Sequence, residues 1–280
     1  MSFSATDAAF EGFRLVRRHP LAIVFWALAY LLFFVIFFAL FGSAIAGIMA
    51  TAQSLEAGGE PSMADLQGLG QSYIGLMGLG LPLCLVLGGV LNAAVARAVL
   101  RPSESAFGYM RLGGDELRVI VVSLVLGILG GVVAAVCFGL VGVAAGFVGA
   151  SGQNALWLVV VLLGLAACVF LIWLSLRFSL AIPITVGERR MAFFDSFGLT
   201  KGRSLPLLGM AIIALPLTMA TGGLDSLAAF EGKATLDILR AAAPTIATWV
   251  ILNAIFSALQ LAVMYAPFSA AYRDIKGVSA

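Results

Sequence analysis

Apolar residues run along this chain in long unbroken blocks separated by polar elbows: Pro20 to Ala52, Tyr73 to Leu100, Val119 to Ala150, Ala155 to Val186, Leu205 to Ala220 and Ala241 to Ala271. A hydrocarbon layer about 30 Å thick is crossed by about 20 helical residues at 1.5 Å each. Five of the six blocks exceed that length. The fifth is shorter and holds Pro206 and Pro216, so it reads either as a full crossing or as a re-entrant segment. Strands of a membrane barrel would alternate apolar and polar positions over about ten residues. The run LAIVFWALAYLLFFVIFFAL, from Leu21 to Leu40, does not alternate. The pattern predicts an all-α polytopic integral membrane protein, with six transmembrane helices arranged as three helical hairpins in a single domain over residues 1–280.

Composition agrees with the pattern and narrows the classes. The chain is 62% apolar and 11% charged, against roughly 45 to 50% and about 25% in soluble domains. With a mean hydropathy of +1.09 there is too little polar surface to coat a water-soluble body. A disordered chain and a disulfide scaffold are excluded by the same arithmetic. A net charge of +2 gives no bulk attraction to nucleic acid. The three cysteines, Cys84, Cys137 and Cys168, all fall inside apolar blocks and read as small buried hydrophobes. No cofactor or metal is expected, because no Cys/His cluster exists and the single histidine, His19, sits at a membrane edge.

Basic residues set the orientation. Arg14, Arg17 and Arg18 precede the first block; Arg97, Arg101, Arg111 and Arg118 lie between the second and third; Arg177, Arg189, Arg190, Lys201 and Arg203 between the fourth and fifth; Arg273 and Lys276 follow the sixth. Only Lys233 and Arg240, of 16 basic residues, are left for the other side. The positive-inside rule places both termini in the cytoplasm and requires an even number of crossings. In a bacterium this is the inner membrane. The first block is about twice the length of a signal-peptide core and is preceded by Asp7 and Glu11, so it is expected to remain as a span.

An amphipathic segment stands before each odd-numbered span. Setting Ala8 on Ala192 matches Phe10 with Phe194, Glu11 with Asp195, Phe13 with Phe197, Leu15 with Leu199 and Arg17 with Lys201. A looser third copy precedes span three, with Phe107, Tyr109 and Leu112 as its apolar members. On a wheel the first copy gathers Phe3, Phe10, Phe13 and Val16 against Asp7, Glu11, Arg14 and Arg18. Such helices lie in the headgroup plane, either sealing the cytoplasmic rim or offering a docking surface. The even-numbered spans echo one another too, with Arg97, Arg177 and Tyr265 in register and Asn92, Ile172 and Gln260 five residues before them. Three repeat units follow, approximately 1–100, 101–186 and 187–280.

Polar groups in hydrocarbon are costly and therefore candidates for function. Asn92, Arg97, Ser175, Arg177, Asn253 and Gln260 all lie on even-numbered spans, whose centres hold no Asp, Glu, Lys or His. The amides read either as helix-packing hydrogen bonds or as the lining of a cavity. Arg97 and Arg177 read either as snorkelling anchors or, with Arg189 and Arg190, as contacts for an anionic headgroup or solute. In span three, Gly127, Gly131, Ala135 and Gly139 form a four-residue ladder suited to close helix packing, within the chain or between copies.

No nucleophile elbow, P-loop or zinc-protease motif is present, so no enzyme is expected. One stretch is distinctive: WLSLRFSLAIPITVGERRMAFFDSFGLTKGRSLPLLG, from Trp173 to Gly209, with Arg177, Pro183, Glu188, Ala192, Ser196 and the run Leu199-Thr200-Lys201-Gly202, followed near the end of the chain by Ala271-Tyr272-Arg273-Asp274. It resembles the membrane domain found ahead of some bacterial glycerophosphodiester phosphodiesterases, and the stand-alone relatives of that domain. The resemblance implies a helical membrane domain without a known catalytic residue. Little chain follows Ala271, so the phosphodiesterase activity is not expected here. The function expected is the binding, sensing or movement of membrane lipid, or of an apolar or anionic small solute. The alternative is a scaffold that docks another membrane protein.

Overall fold

The computed structural model describes residues 5–56, 63–104, 106–151, 154–202, 205–212 and 236–277. Among these residues every regular element is helical and there is no strand. Two short helices, α1 (Ala5–Ala9) and α2 (Glu11–Arg18), lead into α3 (Pro20–Glu56). Helix α4 (Met63–Gly75) continues through a π-helical turn at Leu76–Gly80 into α5 (Leu81–Leu100). Then come α6 (Gly114–Ser151), α7 (Trp157–Phe178), α8 (Ala181–Glu188), α9 (Asp195–Leu199), the helical residues 205–212 as α10, and α11 (Leu236–Lys276).

Five stretches are long and apolar enough to cross a membrane: Pro20–Met49, Gln67–Leu100, Ala106–Ser151, Trp157–Glu188 and Ala247–Lys276. The expected span from Leu205 to Ala220 is described only over 205–212, and the remainder lies outside the described residues. The second span begins earlier than Tyr73. Gln67 and Gln71 stand one turn apart on the exposed face, so the helix extends backwards without burying an amide.

Local chemistry explains the breaks. Pro82, which has no N–H to donate, sits just after the π turn among Gly75, Gly78 and Gly80. Between α7 and α8 the chain kinks at Ser179 and Leu180. Pro183 has no N–H to donate to Ser179 O, the Leu180 N–H turns to Ser196 Oγ, and the Leu176 carbonyl that it leaves accepts from the Ser179 hydroxyl at 2.7 Å.

Packing concentrates at one end of the bundle. There Trp26, Leu91, Val95, Tyr109, Leu180, Ile184, Leu207, Met210, Ala258 and Ala262 form the main core. Helix α5 is central, against α6, α8 and α11, while α11 also carries α3 and α2. Away from this end the helices present apolar side chains outward, as at Leu32, Leu140, Phe147 and Leu162. Such a surface is compatible with a hydrocarbon surrounding.

Two glycines set helix spacing. A Cβ on Gly89 of α5 would lie 2.3 Å from Ile120 Cγ1 of α6, and one on Gly12 of α2 would lie 2.5 Å from Val263 Cα of α11. Helix α2 therefore buries Glu11, Gly12 and Leu15 against α11, and leaves Phe10 and Phe13 exposed. The buried stripe differs from the Phe10–Phe13–Val16 face of the helical wheel: Gly12 lets the α11 backbone approach, Glu11 reaches Arg273 and Leu15 enters the core, with Val16 partly buried against it.

Candidate functional site

The elbow after α5 is a tight left-handed turn. Phe107, Gly108 and Tyr109 have φ of 50°, 64° and 64°, a conformation that costs an L-residue roughly 1 to 2 kcal/mol. It is held from both sides. The Trp26 indole N–H donates to Gly108 O at 2.7 Å, and the Arg97 guanidinium donates to Tyr109 O.

Arg97 is the hub of the rim. Its side chain is only 2% exposed and meets Glu116 Oε1 at 2.5 Å, with Glu104 at 3.7 Å and Asp115 at 3.9 Å. Glu116 is equally buried and also accepts from the Gly113 N–H at 3.0 Å, capping α6. Around this pair, Arg101 binds Asp115 at 3.2 Å and the Val186 carbonyl, Arg118 binds Asp115 at 2.8 Å, and Arg111 and Arg189 reach Glu104 at 3.2 and 3.4 Å. The chain of pairs continues through Glu188, which meets Arg190 at 2.7 Å and Lys276 at 3.1 Å, and through Glu11 with Arg273 at 3.6 Å. The N-terminal helix, both central elbows and the end of α11 thus gather at one end of the bundle.

Arg177 does for the next elbow what Arg97 does for the first. Its guanidinium donates to Phe197 O and Thr200 Oγ1, both at 3.3 Å, and lies 5.3 Å from the centre of the Trp173 ring. Ser196, fully buried, donates to Arg177 O at 2.5 Å and accepts from the Leu180 N–H at 3.2 Å, which bridges the α7–α8 break. Ala192 N–H donates to Thr185 Oγ1 at 3.3 Å. The residues that make up the distinctive Trp173–Gly209 stretch therefore tie one elbow together. Arg189 and Arg190 differ: they are 63% and 52% exposed. Hydrogen bonds to Asp195 and then to Glu188 raise the Arg190 guanidinium above its ordinary value.

Further along the bundle from the rim a cleft of about 480 Å³ opens. It is walled by α5, α6, α7, α8 and α11, and its polar lining comprises Asn92, Ser123, Ser175, Ser179, Tyr265 and Ser269. Leu126, Phe178, Ile182, Met264 and Phe268 supply apolar walls. Asn92 and Tyr265 both line the cleft; Asn92 Oδ1 is buried without a partner, and so is Ser123 Oγ. A small apolar plug, Ala93, Ala96, Val119 and Val186 with Ile182 against it, stands between this cleft and the ionic rim. By helical rise Asn92 lies about 7.5 Å along α5 from Arg97, and Ser123 about 10.5 Å along α6 from Glu116. The cleft holds no charged lining residue.

The structure thus brings Asn92 to the cleft and Arg97 to the rim, with Arg189 beside it. Asn253 and Gln260 do not line the cleft; Asn253 Oδ1 accepts from Ser257 Oγ at 3.2 Å and Gln260 Nε2 faces Met264 Sδ at 3.9 Å. Gly127, Gly131, Ala135 and Gly139 are exposed, and a Cβ on any of the three glycines would meet nothing within 4 Å. Glu104, Asp115 and Glu116 were not legible as partners of Arg97, although an acidic pair just before span three was the available signal. Comparison with protein-family models, with curated proteins and with solved structures gives no match.

Proposed function

We propose that this chain is a non-enzymatic protein of the bacterial inner membrane that binds, senses or moves membrane lipid or a small solute through the cleft between its even-numbered spans. The observation that carries the reading is the cleft itself: about 480 Å³, within the range of small-molecule sites, with two buried polar atoms left without partners, Asn92 Oδ1 and Ser123 Oγ. A native structure rarely leaves such atoms unpaired unless something else supplies the bond.

Six spans in three hairpins, with both termini cytoplasmic, is the topology that accompanies this reading. It is supported by the ionic network that draws Glu11, Glu104, Glu188, Arg273 and Lys276 to one end. The three-unit arrangement is supported by the parallel between Arg97 and Arg177, each donating to a backbone carbonyl of the elbow that follows it. The resemblance to the phosphodiesterase-associated membrane domain fits a structural role for Arg177, Ser196 and Thr200. Reconstitution into liposomes tests the function: lipid or solute movement above empty vesicles, or lipid retained through purification, is expected. Reporter fusions that place either end in the periplasm would overturn the topology.

A second reading, a scaffold for another membrane protein, is favoured by one observation. The small-residue face of α6 at Gly127, Gly131 and Gly139 is unoccupied among the described residues. A stoichiometric partner that co-purifies, and is lost in Gly131→Leu, would support it.

A further inference from the structure

The chemistry of the cleft selects among the ligands that the proposed function allows, and this inference rests on that reading. We propose that the cleft accepts the head of an uncharged, hydroxyl-bearing membrane amphiphile, of which a diacylglycerol is the simplest representative, bound between Asn92 Oδ1 and Ser123 Oγ.

The argument proceeds by charge and then by hydrogen bonding. None of the twelve lining residues is ionisable except Tyr265, a phenol. Neither nearby guanidinium lines the cleft. Arg97 is paired with Glu116 beyond the plug of Ala93, Ala96, Val119 and Val186, and Arg177, whose Nε has no partner, directs Nη1 away to Phe197 O and Thr200 Oγ1. A phosphate in the cleft would thus be desolvated without a counter-charge, which is strongly unfavourable. A pure hydrocarbon fails for the opposite reason, because it would leave Asn92 Oδ1 and Ser123 Oγ unsatisfied. A hydroxyl meets both demands, since it donates to the amide oxygen and accepts from the serine. Leu126, Met264 and Phe268 line the apolar part, where acyl chains would run. Ser175 and Tyr265 are exposed lining residues on helices long enough to span, so the opening faces the bilayer and a membrane lipid has direct access.

The test uses the full chain in phosphatidylcholine nanodiscs doped with dioleoylglycerol, with its acetyl-capped analogue, or with dioleoyl phosphatidic acid. Thermal midpoint against lipid mole fraction gives an apparent affinity. Dioleoylglycerol should stabilise saturably; the acetyl-capped analogue, which keeps the chains but loses the donor, should bind roughly 5- to 10-fold more weakly. Phosphatidic acid should show no saturable effect. Ser123→Ala should weaken dioleoylglycerol by a similar factor, and Asn92→Leu serves as the second variant. Equal binding of the hydroxyl and capped lipids would overturn hydroxyl recognition. If phosphatidic acid alone binds, and Ser123→Ala abolishes it, the neutral class is wrong while the lipid-handling function stands. If none of the three shifts the midpoint, both fall.

Discussion

Replacing Glu116 by glutamine removes the carboxylate that Arg97 holds at 2.5 Å inside the rim, where both side chains are almost completely buried. Removing one member of a buried ion pair typically costs about 3 to 5 kcal/mol, because the survivor stays desolvated without compensation. Here the loss is tempered. Glu104 at 3.7 Å and Asp115 at 3.9 Å remain within reach of the guanidinium, and Tyr109 O still accepts from it. An unfolding cost of about 2 to 3 kcal/mol is therefore expected for Glu116→Gln. Arg97→Met should cost more, about 3 to 5 kcal/mol, since it strands Glu116 with only the Gly113 N–H and frees the left-handed Phe107–Tyr109 turn from one of its two anchors. The double variant should recover part of the loss. Thermal or denaturant unfolding of the four proteins in one detergent closes the cycle, with a coupling energy of about 2 kcal/mol or more expected. A coupling below about 0.5 kcal/mol, the value of an exposed pair, would refute the claim that this pair is desolvated and holds the elbow.

Other substitutions probe separate contacts. Gly12→Ala places a Cβ 2.5 Å from Val263 Cα and 2.8 Å from Ala262 O, both backbone atoms of α11; an overpacking cost of about 1 to 3 kcal/mol is expected, with faster proteolysis before Pro20, and an unchanged midpoint would mean that α2 does not dock there. Ser196→Ala leaves the Leu180 N–H without its acceptor at the α7–α8 break, so a loss of about 1 to 3 kcal/mol in unfolding free energy is expected. Gly131→Ala should be neutral or stabilising by up to about 1 kcal/mol in the monomer, because it lies within α6 and nothing stands within 4 Å of the new methyl; a large cost, or a change in oligomeric state by light scattering, would show that another chain covers this face.

Some of this arrangement was readable residue by residue. Asn92 is conspicuous because an amide interrupts the apolar run Leu81 to Ala96, and it does reach the cleft. Ser123 is not conspicuous. A helical serine usually returns its hydroxyl to its own backbone, as Ser175 does to Leu171 O at 2.9 Å, and only the neighbours of Ser123 reveal that its oxygen has no partner. Arg177 stood out as a cation at the end of an apolar block, yet whether it reaches for lipid phosphate or turns inward to Phe197 and Thr200 depends on where α9 folds back. The glycines divide in the same way. Gly127, Gly131 and Gly139 form the visible ladder, whereas Gly12, Gly89 and Gly187, without any periodic signature, press most closely on a neighbouring helix.

What the chain determines alone is therefore that its apolar blocks are helical, while their ends and breaks shift by several residues in the structure. Backbone hydrogen bonds in an apolar block can only be satisfied within the block, so about 20 consecutive apolar residues commit to a helix wherever they later pack. What only the tertiary structure decides is how each helix is rotated and which side chains meet. Helices such as α3, α6 and α7 are apolar all round, so no hydrophobic face dictates the side each turns inward. The pairing of Arg97 with Glu116, and the cleft beside Asn92, arise from contacts between segments whose partners no periodicity specifies.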